Sequence, residues 1–353
     1  MAASSDPELL AAAVLEVGAP GAVVAVRAGG RTRSAAAGHV AADGREPLTP
    51  AARFQVGSIG KTFLAALVLL LVGNGRLSLD DALDDDVSAL LGGGEPPRIR
   101  DLLRHTSGLP DYLRLPDVLA GALESPPRRR TEQELLTLVA DAPRGETGAW
   151  SYASTNYLLV AQVVERVTGS PLRDALATLL LDPLGLTRTE LPRPASSVEG
   201  TVPGHLPADN PFRPSPDGRL VAATTLGGAI AYAADGLVST ASDVARFLDA
   251  LLGGELLAPP LLAELTTAVA ADGVEADAYG LGLARTTSLF GSTPSPCGPA
   301  WGHLGLMLGH TAVALSRRDG TRQVVVLANL GLLPAPAWDV LARVAWSALC
   351  STG

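Results

Sequence analysis

Strand-forming patterns lie at both ends of this 353-residue chain, and a long stretch without them separates the two ends. Near the start, residues 21–28 and 32–38 predict two strands around the turn Gly29-Gly30. Strand patterns return only from about residue 279, and the stretch between carries helical patterns. We therefore expect one sheet built from both ends of the chain, with a helical lobe inserted between them.

The individual elements follow from hydrophobic periodicity and from end signals. The predicted helices are Leu9–Val17, Ser58–Gly73, Ile99–Leu103, Glu132–Asp141, Tyr157–Thr168, Pro171–Leu180, Ala241–Leu252 and Pro336–Leu349. The further predicted strands are Arg53–Val56, Tyr279–Arg285, Ala300–Gly305, His310–Ser316 and Gln323–Ala328. This division predicts a sheet lobe from residues 1–75 with 275–353, a helical lobe from 76–274, and an active site in the cleft between them.

Charge and composition exclude some classes of partner. The net charge of -9 argues against nucleic acid or an anionic membrane, because both require a basic surface. The longest apolar run, Phe63–Val72, is shorter than the roughly 20 residues that span a bilayer, so we expect a buried helix. The N-terminal residues show no secretion-signal pattern, which predicts a cytoplasmic protein.

Cysteine and histidine usage predicts neither a disulfide nor a metal site. Cys297 and Cys350 lie far apart outside any Cys-x-x-Cys pattern, so we expect two free thiols in a reducing cytosol. The histidines lack the spacing of zinc ligands, and we expect no metal and no cofactor.

Lys61 is the only lysine, and every other member of the 27 Lys and Arg residues is arginine. A guanidinium keeps its proton at any useful pH, whereas a buried lysine can become a neutral amine. Ser58 lies three residues earlier, on the same face of the predicted helix and at its positive N-terminal end. A neutral amine at that distance can activate a serine hydroxyl as a nucleophile. The alternative is a helix-capping serine followed by a lysine that reaches to the surface.

Two other motifs are excluded around this pair. A phosphate-binding loop needs glycine six residues before its lysine, and that position is Gln55. No serine of the chain lies in a Gly-x-Ser-x-Gly nucleophile elbow.

Five ordered sequence blocks carry a family resemblance across residues 20–345. They are Ser58–Lys61 (SIGK), Arg104–Pro110 (RHTSGLP), Trp150–Tyr157 (WSYASTNY), Gly236–Ala241 (GLVSTA) and Trp301–Gly305 (WGHLG). Together they resemble the serine β-lactamase and D-alanyl-D-alanine carboxypeptidase superfamily, in particular the class C β-lactamase branch with its related esterases and acyltransferases. The resemblance implies an α/β (α+β) fold of the β-lactamase/transpeptidase type, with a mainly antiparallel sheet flanked by helices and an inserted all-helical lobe.

The resemblance also implies catalytic roles. Ser58 is expected to be the acylated nucleophile and Lys61 the base that activates it. Tyr152 is expected to move a proton between nucleophile and leaving group, and His303 to begin the third motif on the strand beside the cleft. The backbone N–H groups of Ser58 and Leu306 are expected to form the oxyanion hole.

Three positions concern substrate binding. Ser154 stands where the family usually has asparagine, which contacts the amide on the acyl side of the substrate. Gly305 is expected to let its strand approach the substrate, and Leu306 to add apolar surface at the cleft edge. His303 and Leu304 replace the family's usual lysine and hydroxyl residue, which predicts weaker recognition of a substrate carboxylate, because a histidine is mostly neutral near pH 7.

These observations predict a serine esterase or amidase that acts through a Ser58 acyl-enzyme on a small-molecule or peptide acyl substrate. The same acyl-enzyme could instead be resolved by an amine or alcohol, as in an acyltransferase or a peptide cyclase of natural-product biosynthesis. A third alternative is a non-catalytic relative that only binds a ligand. The sequence does not indicate the oligomeric state.

Overall fold

The computed structural model describes residues 5–84, 91, 95–122, 128, 130–193, 200–211, 214–223, 233–273 and 276–351. The strands are β1 (Gly21–Ala28), β2 (Arg31–Gly38), β3 (Phe54–Gln55), β4 (His205–Leu206), β5 (Val221–Ala222), β6 (Val238–Ser239), β7 (Val269–Gly273), β8 (Ala276–Tyr279), β9 (Ala284–Thr286), β10 (Ala300–Met307), β11 (His310–Ser316) and β12 (Arg322–Ala328). The α-helices are α1 (Pro7–Val14), α2 (Ile59–Gly73), α3 (Ile99–Arg104), α4 (Pro116–Ala122), α5 (Glu132–Ala140), α6 (Thr155–Thr168), α7 (Leu172–Leu176), α8 (Asp182–Leu184), α9 (Ala241–Leu252), α10 (Pro259–Thr266) and α11 (Ala335–Cys350).

The main sheet has eight strands in the order β2-β1-β12-β11-β10-β9-β8-β7. The N-terminal strand β1 pairs antiparallel with the C-terminal strand β12, and Val24 lies opposite Val326. Each further pair of neighbours in this sheet is also antiparallel. This confirms the prediction that both ends of the chain build one sheet.

Helices cover both faces of the sheet. Side chains alternate along β12, so that Val325 and Leu327 join the core beneath α2 and α9, while Val324 and Val326 join the core beneath α1 and α11. Because both faces are buried, residues 324–328 of β12 form a continuous apolar run rather than an alternating pattern.

The edge of the sheet differs from the prediction in one strand. The strand predicted over residues 279–285 is two strands, β8 and β9, joined by a turn in which the Gly280 N–H donates to the Leu283 carbonyl at 2.8 Å. Gly282 has φ +68°, and a Cβ there would lie 2.5 Å from the Ala65 side chain. The sequence Tyr-Gly-Leu-Gly-Leu alternates like a strand, and only the packing against α2 requires the turn.

The sheet lobe also takes in parts of the segment that was predicted to be helical lobe. Strand β7 is the last strand of the main sheet, and α9 packs against β1 and β12. The short strand pairs β3–β6 and β4–β5 add extended structure within the same segment.

The prediction of two free thiols was wrong. Cys297 and Cys350 form a disulfide with a Cα–Cα distance of 5.5 Å across a sequence separation of 53. The fold brings the loop before β10 to the end of α11, and separation along the chain carries no information about that proximity. Disulfides are typical of oxidising compartments, which weighs against the predicted cytoplasmic location.

Among the described helices, none combines the length and the apolar character needed to cross a membrane.

Candidate active site

Ser58 lies directly before α2, at the end of a turn that contains Gly57 with φ +52°. Its hydroxyl does not cap the helix. Instead, Lys61 Nζ donates to Ser58 Oγ at 3.0 Å, and the Lys61 side chain is fully buried. The alternative of a capping serine with a surface-reaching lysine therefore does not describe this pair.

Strand β10 runs against the turn that carries Ser58. A Cβ on Gly305 would lie 1.9 Å from the Val56 carbonyl oxygen, and one on Gly57 would lie 3.1 Å from the Leu306 backbone nitrogen. The glycine at 305 thus admits the backbone that precedes Ser58, and the approach of its strand to a substrate stays an expectation from the resemblance. This close approach brings the backbone of Leu306 next to the turn that carries Ser58.

Tyr152 lies beside Lys61, whose Nζ is 5.3 Å from the centre of the Tyr152 ring. The ring of Tyr152 packs on His105 with 4.2 Å between ring centres, and His303 is 6.2 Å away by the same measure. The residues expected to carry the chemistry therefore gather around Lys61.

His303 is a buried neutral histidine. Its Nδ1 donates to the Leu304 carbonyl at 2.7 Å, because a carbonyl can only accept, and its Nε2 accepts from the Tyr279 hydroxyl at 2.8 Å. Burial lowers the pKa of His303 to about 3, against a smaller raising effect of the Leu304 hydrogen bond. His303 therefore supplies no positive charge for a substrate carboxylate at neutral pH.

His105 is a residue of the site to which the sequence analysis gave no role beyond membership of the block Arg104–Pro110. It ends α3 in the left-handed region, with φ 61°. Its Nδ1 accepts from the Ala153 N–H at 3.2 Å and from the Asn156 amide at 3.1 Å. Burial, together with the charge of Lys61, holds the pKa of His105 well below its ordinary value. His105 is thus a neutral support for the backbone next to Tyr152.

Asp235 is a second residue that the sequence analysis missed. It lies in the 3-10 turn Ala233–Gly236, before β6, and is 5% exposed. Its Oδ1 accepts from Lys61 Nζ and from Ser58 Oγ, the latter at 3.3 Å. The sequence block Gly236–Ala241 begins one residue after Asp235. No sequence pattern indicates that Asp235 contacts Lys61, which lies 174 positions earlier in the chain.

A cavity of about 400 Å³ opens beside Tyr152 and His303. Its lining residues are Arg114, Trp150, Ser151, Tyr152, Asp272, Gly273, Ala276, Tyr279, Ala284, His303 and Leu304. Aromatic rings form much of the wall, and Arg114 and Asp272 add one charge of each sign. A cavity of this size suits a small-molecule ligand.

The residues expected to bind the substrate differ in their burial and in whether they line the cavity. The Leu304 side chain packs in the core beneath α1 and α11, although the residue contributes to the cavity wall. Leu306 is 42% exposed. Ser154 is buried before α6, where its N–H donates to Asp111 Oδ1 at 3.0 Å. Neither Leu306 nor Ser154 lines the cavity.

A Ser-x-x-Lys pair at the start of a buried helix, packed against an antiparallel sheet with helices on both faces, defines a serine hydrolase of the β-lactamase/transpeptidase-like fold. The family model described as Beta-lactamase matches residues 8–344, and the chain belongs to this family.

Three proteins similar to this chain are named as hydrolases of amides or peptides. A D-aminopeptidase from Brucella anthropi is 34% identical over 174 residues, which cover 47% of this chain and 33% of that protein. The chain thus matches only about a third of that relative's length. Among solved structures, a D-stereospecific amidohydrolase from Streptomyces sp. is 30% identical, with TM-score 0.77 over 94% of this chain and 98% of that one. A D-amino acid amidase from Ochrobactrum anthropi SV3, complexed with D-phenylalanine, shares the fold at 24% identity, with TM-score 0.79 over 96% of this chain and 99% of that one.

Proposed function

We propose that this protein is an amidase that hydrolyses amides or short peptides of D-amino acids through an acyl-enzyme on Ser58. The observation that carries the proposal is the 3.0 Å contact between Lys61 Nζ and Ser58 Oγ, on a serine that does not cap its helix. The names of the relatives support an amide substrate and the D configuration.

The proposed reaction has two steps. Ser58 Oγ attacks the amide carbonyl while its proton moves toward Lys61, and the backbone N–H groups of Ser58 and Leu306 stabilise the oxyanion. The C–N bond then breaks, Tyr152 passes a proton to the leaving amine, and the acyl group stays on Ser58. In the second step water attacks the ester. One water proton stays on the released acid, the other restores the Tyr152 hydroxyl, and Lys61 returns a proton to Ser58.

The cavity beside Tyr152 supports a small substrate with an apolar group. Trp150, Tyr152 and Tyr279 offer ring surfaces for such a group, and about 400 Å³ is enough for a single amino-acid side chain. The neutral His303 argues against selection for a terminal carboxylate. We therefore expect amides of aromatic or aliphatic amino acids to react faster than penicillins.

The test compares D- and L-phenylalanine amide as substrates of the wild type and of Ser58→Ala. Release of ammonia is measured together with intact-protein mass after rapid acid quenching. We expect turnover of the D enantiomer, a transient mass increase on the wild type alone, and no turnover by Ser58→Ala. Turnover by Ser58→Ala, or no turnover of any amide by the wild type, would contradict the proposal.

Acyl transfer to an amine or alcohol has no specific observation in its favour, because the reported relatives are named as hydrolases. Ligand binding without catalysis is disfavoured by the buried Lys61 in contact with Ser58, since a silent relative has no chemical need for that contact.

A further inference from the structure

Asp235 changes the chemistry that Lys61 can perform. Lys61 is fully buried, and its Nζ donates to both Ser58 Oγ and Asp235 Oδ1. An adjacent carboxylate stabilises the ammonium form of a lysine. An ammonium has no lone pair, so it cannot accept the Ser58 proton unless it gives up one of its own.

The geometry supplies an acceptor for that proton. Asp235 Oδ1 is 3.3 Å from Ser58 Oγ, slightly beyond the usual reach of a general base, whereas Lys61 lies at 3.0 Å from the same oxygen and also contacts Oδ1. Each of the two contacts through Lys61 is shorter than the direct contact between Ser58 Oγ and Asp235 Oδ1, so the route through Lys61 suits proton transfer better.

We propose that Asp235 is a catalytic residue that receives the Ser58 proton through Lys61 during acylation. This inference rests on the proposed Ser58 acyl-enzyme. As Ser58 Oγ bonds to the substrate carbonyl carbon, its proton passes to Lys61 Nζ, and Lys61 gives a different proton to Asp235 Oδ1. Lys61 remains an ammonium throughout, and Asp235 becomes a neutral acid.

During deacylation the protons on Asp235 and Lys61 move back to Lys61 and Ser58. When water attacks the acyl-enzyme, one water proton stays on the product carboxyl group and the other restores the Tyr152 hydroxyl, while Ser58 regains its proton from Lys61 as Asp235 returns its proton to Lys61. The wild type therefore needs no prior loss of the Lys61 proton to solvent. We expect it to acylate at full rate at neutral pH.

Other titratable groups surround this pair, and they come from separate elements. His105 and His303 are buried and carry lowered pKa values, so both are neutral at pH 7. Burial raises the pKa of Asp111 and also that of Tyr157 on α6. Tyr152 packs beside Lys61, within 5.3 Å of its Nζ. Asp235 is the carboxylate in direct hydrogen-bond contact with Lys61.

The test measures the rate of Ser58 acylation against pH in wild type, Asp235→Asn and Asp235→Glu. The donor is a p-nitrophenyl ester, and the readouts are the p-nitrophenol burst and intact-protein mass. Asn keeps the shape of Asp235 but cannot take a proton. At pH 7 we expect acylation of Asp235→Asn to fall by at least about 100-fold, the usual contribution of general base catalysis.

The pH profile distinguishes the proposal from simpler roles. We expect acylation of Asp235→Asn to recover toward alkaline pH, where hydroxide can take the proton in place of Asp235, and Asp235→Glu to retain much of the neutral-pH rate. Faster acylation of Asp235→Asn than of wild type at pH 7 would overturn the proposal, because Asp235 would then only restrain a neutral Lys61 base. An equal loss at every pH would also overturn it, because it would indicate a structural role.

A matched control removes a carboxylate outside the site. Asp249 on α9 pairs with Arg27 Nε at 2.7 Å, and Asp249→Asn should keep the wild-type profile.

A second measurement needs no variant at Asp235. In mixtures of H₂O and D₂O, the acylation rate of the wild type should vary nonlinearly with the deuterium fraction, because two protons move in one step. A linear dependence would overturn the relay. A wild type that forms no adduct would overturn the proposed function and this inference together, whereas an adduct with either contrary result would overturn the inference alone.

Discussion

Gly305 illustrates how a single residue positions the site through its backbone. The resemblance implies that Gly305 lets its strand approach the substrate, and in the structure its missing Cβ also makes room for the Val56 carbonyl oxygen, 1.9 Å from where that Cβ would stand. Val56 lies two residues before Ser58, so the position of β10 and that of the nucleophile depend on each other. A side chain at 305 must move one of them.

Gly305→Ala is therefore expected to impair both folding and chemistry. The added methyl group requires a backbone shift on the order of 1 Å, which costs about 1–3 kcal/mol in the free energy of unfolding and about 100-fold in acylation rate. Urea unfolding and the p-nitrophenol burst measure the two effects. Gly145→Ala is the control, because its Cβ would meet only ordinary contacts at 3.7 Å or more. A Gly305→Ala protein that acylates at the wild-type rate would contradict this account.

Among the elements, α2 and α11 serve different purposes on opposite faces of the sheet. Helix α2 begins directly after Ser58, carries Lys61 and packs in the core with α9, whereas α11 covers the other face and ends at Cys350. The disulfide to Cys297 fixes the loop before β10 to that end of α11. It lies on the side of the sheet away from the nucleophile, so its contribution is to stability.

We expect the double variant Cys297→Ser with Cys350→Ser to lose about 2–5 kcal/mol in the free energy of unfolding, because the open chain has more conformational freedom when unfolded. Acylation should stay within about twofold of wild type, since the sheet separates the bond from the site. Denaturant unfolding and the p-nitrophenol burst test the two parts. Two reactive thiols in the unreduced wild-type protein would show that the bond is absent.

Across the whole molecule, buried neutral histidines link stability to pH. Burial lowers the pKa of His303 to about 3 and that of His310 to about 4, and His105 is also lowered. In the unfolded chain each would titrate near 6.5, so the unfolded state binds more protons over the interval between these values. Their contribution to stability is complete above about pH 6.5 and is lost as pH falls toward the folded pKa values.

We therefore expect the melting temperature to fall steadily from about pH 6.5 to 4.5. Each such histidine contributes a slope of about 1.4 kcal/mol per pH unit within its own interval. His310→Gln should reduce the pH dependence of the unfolding free energy by about the contribution of one histidine. The substitution removes a buried imidazole that hydrogen-bonds the Val202 carbonyl and must stay neutral in the folded protein. Thermal unfolding between pH 8 and 4.5 measures this, and a melting temperature that is flat over this range would contradict it.

Local patterns were enough for much of this protein. The strands at both ends and helix α2 follow from periodicity and end signals, and three residues along a helix place Lys61 next to Ser58 whatever surrounds them. The five motif blocks indicated the family. The turn between β8 and β9 escaped detection because its glycines sit in an alternating pattern.

Contacts between distant parts of the chain could not be read in this way. Asp235 meets Lys61 across 174 positions, Tyr279 meets His303 across 24, and Cys297 meets Cys350 across 53. Periodicity and spacing describe neighbours along a helix or strand, whereas these pairs depend on how the helices and turns pack against the sheet. The sequence thus pointed to Ser58 and Lys61 as the proposed catalytic pair, and the packing of the folded chain supplied the carboxylate and the neutral histidines around them.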